Sequence, residues 1–283
     1  VVTGTPGIPC SLTNGPGLIS LVVRATRAPA AVTWTGGTSS NRWDLLGATN
    51  WLLGASNTTF APSDAVSFTS AGAANSFANL SGNLNPSSIL VDATNAYTLA
   101  GPGVISGATG LIKTNSGTLT ISNLAHTFTG RTLIAGGTLV VPRLDAVGHP
   151  SPLGNPGAHP SNLVLLGGAT LRVTSDSHTD RGVTLGAGTG TIHVATSSEQ
   201  VTIGNQITGA GTLRLLGPGT LALIVSNNYT GGTRIENGSV SLGATGGNVN
   251  GLGTGLVTLG KDLTVSSVAT GGNFTDFTAD ITG

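Results

Sequence analysis

The 283 residues carry 11 basic and 11 acidic side chains, and charged residues form 8% of the chain against roughly 25% in ordinary soluble domains. Charge this sparse and balanced argues against a nucleic-acid or anionic-membrane partner, since both need a basic stripe. No apolar run nears the ~20 residues that span a bilayer, and the single cysteine, Cys10, excludes an intrachain disulfide.

In chain order, residues 1–31 hold Pro6, Pro9, Pro16 and Pro29 around one apolar run, LISLVV, at 18–23. They read as an arm whose Leu18, Ile19, Leu21, Val22 and Val23 add a strand to a neighbouring copy. Val1 in place of Met, with no signal pattern after it, leads to the expectation that the chain begins after processing. Residues 32–100 contain all three tryptophans, Trp34, Trp43 and Trp51, within a short span. They read as a cap over the first layer of a stacked fold, with a sugar-stacking platform as the functional alternative.

From residue 101 onward, short runs of period two recur: TLTI at 118–121, GTLVV at 137–141, NLVLL at 162–166, ATLRV at 169–173, GTIHV at 190–194, QVTI at 200–203, TLRLL at 212–216 and LTVSS at 263–267. Gly, Asn or Pro separates them, and hardly any window supports a helix. The region 101–283 also repeats itself. Gly117-Thr-Leu returns as Gly219-Thr-Leu, Phe128-Thr-Gly as Tyr229-Thr-Gly, Leu153-Gly as Leu252-Gly, and the unit is about 100 residues long. The pattern predicts an all-β fold. A parallel β-helix (β-solenoid) of ten to twelve rungs with about 20 residues each fits the short, even strands and the lack of a long loop. Tandem β-sandwiches are the alternative.

The segment Gly110 to Val141, with the turns Phe128-Thr-Gly-Arg-Thr132 and Tyr229-Thr-Gly-Gly-Thr233, resembles the passenger-associated transport repeat, also called the autotransporter-associated β-strand repeat. The stretches 32–52 and 181–194 are similar to segments that flank this repeat in large bacterial surface proteins. The resemblance implies a right-handed parallel β-helix that is exported and displayed at the cell surface or outside the cell.

Chemistry-bearing residues are few. Acids stand singly, the five histidines lack metal-ligand spacing, and no nucleophile elbow or phosphate loop occurs. The one polar cluster, SDSHTDR at 175–181, would place Asp176, His178 and Asp180 on one strand face, which makes Asp176 and Asp180 the candidate ion or acid/base residues; a polar loop is the plain reading. No enzyme activity, metal or cofactor is expected. The C-terminal run NFTDFTADITG alternates Phe274, Phe277 and Ile281 with polar residues and no polar cap pattern follows, so these three join the arm as expected assembly contacts. The composition therefore suggests an extracellular structural subunit whose partner is itself, as a fibre or matrix. The alternatives are the stalk of a surface adhesin and, third, a β-helix that binds or cleaves surface polysaccharide.

Overall fold

In the computed structural model, the described residues are 10–15, 18–23, 27–243, 250–260 and 264–267, with side chains described for 27–243 and 250–260. Apart from 10–15 and 18–23, which pair only with each other, they form a β-solenoid of about nine turns. The only helices among the described residues are three short 3₁₀ segments, Ser39–Asn41, Ser70–Asn75 and Pro160–Asn162. None is long and apolar enough to cross a membrane.

The chain visits three faces in turn. The first stacks Ala31–Trp34, Ala65–Thr69, Ser88–Asp92, Leu111–Thr114, Thr132–Ile134, Leu163–Leu165, Val183–Leu185 and Ile207–Gly209 as parallel strands. The second runs from Arg42–Trp43 through Thr118–Ile121 and Thr170–Val173 to Val257–Leu259, also parallel. The third is split. A short pair, Asn83–Leu84 with Val104–Ile105, opens it, and five strands from Ser177–Thr179 to Thr264–Ser267 complete it.

Period-two sequences suit this arrangement because alternate side chains face a common interior. In Thr118–Ile121, Leu119 and Ile121 are buried while the threonines lie nearer the surface. The register then stacks like on like. Leu119, Leu139, Leu171, Ile192, Leu215, Ile235 and Leu259 pair in succession up the second face. Each fully buried aliphatic side chain contributes about 1.5–3 kcal/mol, and one contiguous core runs from Val32 to Leu252.

The turn count is lower than the sequence suggests, because the chain is not evenly wound. Thr118 pairs with Thr138, but Thr138 pairs next with Thr170. The extra residues form an excursion at 142–162 that folds back on the third face, where Ser151 N–H donates to the His126 carbonyl (3.0 Å) and Asn155 N–H to the Phe128 carbonyl (2.7 Å). The expectation of no long loop fails here. Gly and Pro in that segment read as ordinary punctuation, and only the ladder reveals that this turn takes 32 residues, from Thr138 to Thr170, where the one before it takes 20, from Thr118 to Thr138.

At the N-terminal end the parallel pattern stops. Trp51–Leu53 pairs antiparallel with Ala31–Trp34, and Ser56–Thr58 pairs antiparallel with Trp51–Leu53. Asp64 anchors this layer. Its carboxylate accepts two hydrogen bonds from Arg27 (2.6 Å each), one from Ala30 N–H (2.9 Å) and one from Ala61 N–H (2.7 Å).

Candidate functional site

The three tryptophans are fully buried. Trp34 and Trp51 pack edge to face at 5.0 Å, Trp43 and Trp51 at 5.2 Å, and Phe60 and Phe68 complete the cluster. Trp34 Nε1 donates to the Asn75 carbonyl at 2.8 Å. Phe68 passes the contact on to Tyr97, whose hydroxyl donates to the Thr69 carbonyl and is pushed up to about 12 by burial. With no ring face exposed, the sugar-stacking alternative for Trp34, Trp43 and Trp51 is excluded. Three indoles in one layer contact each other before they contact water, which their sequence spacing does not disclose.

Asp176 and Asp180 are not brought together with His178 as a site. Asp176 Oδ1 accepts from Gln200 N–H and Asp180 Oδ1 from Val147 N–H, both at 2.6 Å, so the two carboxylates each fasten a different loop. The strand between them is only Ser177–Thr179, too short to carry the alternation through both acids, and His178 faces solvent. Among the described residues no three His, Cys, Asp or Glu side chains converge on a common point.

The run 18–23 pairs antiparallel with Cys10–Gly15, from Leu18 opposite Gly15 to Val23 opposite Cys10. The expected free arm is therefore a hairpin in its backbone. The side chains of Leu18, Ile19, Leu21, Val22 and Val23 lie outside the described residues, as do Phe274, Phe277 and Ile281.

The two sequence repeats build one local unit twice. In the first copy His126 Nδ1 accepts from the buried Ile105 N–H (3.0 Å); in the second, Asn227 Oδ1 accepts from Ile207 N–H (2.6 Å). Phe128 and Tyr229 occupy matching core positions. The Tyr229 hydroxyl bonds Thr233 Oγ1, which donates on to the Leu252 carbonyl at 2.8 Å. Phe128 lacks that hydroxyl, and the matching Thr132 Oγ1 has no partner. Gly130 and Gly231 are required by close approach, since a Cβ would stand 2.3 Å from the Thr109 carbonyl oxygen and 2.4 Å from the Gly211 carbonyl carbon.

The copies sit on different faces. Leu111–Thr114 and Thr118–Ile121 lie on the first and second faces; their equivalents, Thr212–Leu216 and Thr220–Leu223, lie on the second and third. Pairing from Leu111 climbs four turns to Ile207, and the second copy opens one strand later. The unit is thus rotated by one face. A strand-turn-strand motif depends on the ladder below it and is indifferent to which face supplies that ladder.

Two buried cations escaped the sequence reading as structural elements. Lys113 follows the alternation set by Leu111 and points inward, where its ammonium donates to the carbonyls of Thr114 and Asn115 (3.0 Å to the latter); burial lowers its pKa, with Asp92 opposing. Arg181 reaches from the next turn into the 142–162 excursion, donating to the Gly154 carbonyl (2.9 Å) and to Ser151 Oγ (3.2 Å). Burial lowers its pKa too, against the charges of Asp145 and Asp180. Period-two counting from Leu111 could have found Lys113; no local signal marks Arg181.

Comparison with known proteins fits this geometry. The family described as passenger-associated-transport-repeat matches residues 111–141 and 216–242. The chain is 36% identical over 197 residues to the adhesin BmaC autotransporter of Brucella suis biovar 1 (strain 1330), an alignment that takes in 62% of this chain and 6% of that protein. No solved structure matches. Repeat and relative together indicate a location at the bacterial cell surface or outside the cell. The chain thus carries two copies of the passenger-associated transport repeat and is similar to a small part of one autotransporter adhesin.

Proposed function

We propose that this segment is a stiff stalk of a bacterial surface adhesin, with a structural rather than an enzymatic role. The observation that carries the reading is the unbroken core: parallel ladders on the faces of about nine turns share one apolar interior. Turns about 4.8 Å apart give a rod some 40–45 Å long. Such a rod gains length by adding turns and holds it against bending through every ladder. The likeness to part of an adhesin supports the assignment. In the same proposal the Trp-containing layer is a cap: its antiparallel hairpin and buried indoles close the first turn, where an open core and strand edge would otherwise meet water. Light scattering and small-angle X-ray scattering on the purified chain test this. A monomeric rod at high concentration is the expected outcome, and a compact or polydisperse particle refutes it.

A second reading, a self-associating fibre, draws on the hairpin 10–15 with 18–23. Each of its strands has one paired edge among the described residues, so the opposite edges are available for strand addition. Removing residues 1–26, which spares the Arg27–Asp64 anchor, converts polymers to monomers under this reading; polymers that persist rule the hairpin out.

A further inference from the structure

The outward side of the second face gathers basic residues that are scattered in the sequence. Thr170–Val173, Thr189–Val194, Thr212–Leu216 and Thr233–Ile235 are consecutive strands in that sheet. Their inward residues Leu171, Ile192, Leu213, Leu215 and Ile235 are buried, which turns Arg172, His193, Arg214 and Arg234 outward. Arg172 lies opposite His193, and Arg214 lies opposite both Thr191 and Arg234. The four side chains fall in two neighbouring columns two residues apart along the strands, Arg172 with His193 and Arg214 with Arg234, and together climb about 14–15 Å of the solenoid axis.

Stability alone disfavours this grouping. Like charges directly opposite on neighbouring strands repel, and the chain has only 11 Lys and Arg to place. Glu236 partly neutralises it by pairing with Arg214 and with Arg234 (2.6 Å to the latter). Arg172 has no ion-pair partner among the described residues. Burial and the neighbouring Arg172 charge both lower the His193 pKa, so at neutral pH its imidazole is a neutral donor and acceptor. Thr170, by way of Thr191, and Thr258 extend the column of Arg214 and Arg234, adding hydroxyls beside those cations.

We propose that this surface binds a linear anionic polysaccharide, sulfated or uronate-bearing, laid along the solenoid axis with Arg172, Arg214 and Arg234 on its acidic groups and His193 between them. Charge complementarity commits the surface to a polyanion, and a location outside the cell brings it to glycans. These four strands carry no Phe, Tyr or Trp, the large ring faces on which successive bases of a single-stranded nucleic acid stack. The inference goes beyond the stalk reading and does not depend on it, since a rod that polymerises would carry the same surface.

The test uses the full chain and heparin oligosaccharides, with dextran as neutral control and a single-stranded oligonucleotide as second polyanion, across a salt series. Heparin binds and dextran does not. Arg172→Ser weakens binding about threefold to tenfold, and the triple variant Arg172→Ser, Arg214→Ser, Arg234→Ser abolishes it. Each lost arginine reduces the steepness of log affinity against log salt by about one. Glu236→Gln, which frees two guanidiniums, raises affinity several-fold. Circular dichroism and melting of the variants stay at wild-type values because the substituted side chains face solvent. The proposal is overturned by heparin binding that survives the triple variant, by no binding at low salt, by an inert Glu236→Gln, or by an oligonucleotide that binds tighter than heparin.

Discussion

His126 makes the chain's stability depend on pH in a way that its repeat partner predicts how to remove. Its Nδ1 accepts from Ile105 N–H, which leaves the proton on Nε2, a buried nitrogen with no partner. Burial lowers its pKa from 6.5 to about 4. The unfolded chain therefore takes up a proton below pH 6.5 that the folded chain refuses until about pH 4, so the stability present at neutral pH is lost as pH falls through that window. At about 1.36 kcal/mol per unit, the loss is about 2 kcal/mol at pH 5 and about 3 kcal/mol once both states are protonated. The second copy shows the remedy, because Asn227 makes the same amide contact without a titratable ring. His126→Asn should cost about 1 kcal/mol at pH 7 through lost packing against Phe128, yet it should lose about 2 kcal/mol less than wild type between pH 7 and pH 5. Urea midpoints at several pH values, with amide exchange at Ile105 as a local probe, measure this. Equal losses in the two proteins, or a His126 titration near pH 6.5 by NMR, would refute the reasoning.

Three other perturbations follow from the packing. Trp51→Ala removes the indole that touches Trp34, Trp43, Phe60 and Phe68; it should destabilise the first turns by about 3–5 kcal/mol, seen as an early unfolding step that leaves the C-terminal turns protected from hydrogen exchange. Tyr229→Phe supplies the ring that the first copy has at Phe128 and should cost about 1 kcal/mol, with Thr233, unlike Thr132, retaining a bond, to the Leu252 carbonyl; a neutral result in denaturant titration would mean that the hydroxyl pair contributes nothing. Arg181→Met releases the Gly154 carbonyl and Ser151, so limited proteolysis should nick the 142–162 excursion several-fold faster while the melting point falls by only a few degrees.

Much of the fold is written locally. Period-two alternation in TLTI, QVTI and TLRLL specifies which side of each strand is apolar, and the structure has strands at those positions. The matched turns at Phe128 and Tyr229 identify the repeat, and Gly130 and Gly231 stand where neighbouring backbone leaves no room for a side chain. The cluster at 175–181 was misleading because residue spacing assumes a strand that extends as far as the pattern does, and this one ends after Thr179.

Stacking decided the remainder. In a parallel solenoid a residue's neighbours are set by how many residues each turn consumes, and that number changes wherever a loop such as 142–162 is spliced in. The sequence by itself determined strands, corners and the repeated unit, because those depend on residues a few positions apart. Only the tertiary structure placed the second copy one face around from the first, buried three tryptophans against one another, and aligned Arg172, His193, Arg214 and Arg234 across consecutive strands. Three arginines of a chain with zero net charge are thereby gathered on one face, because the ladder register brings together positions that no local pattern connects.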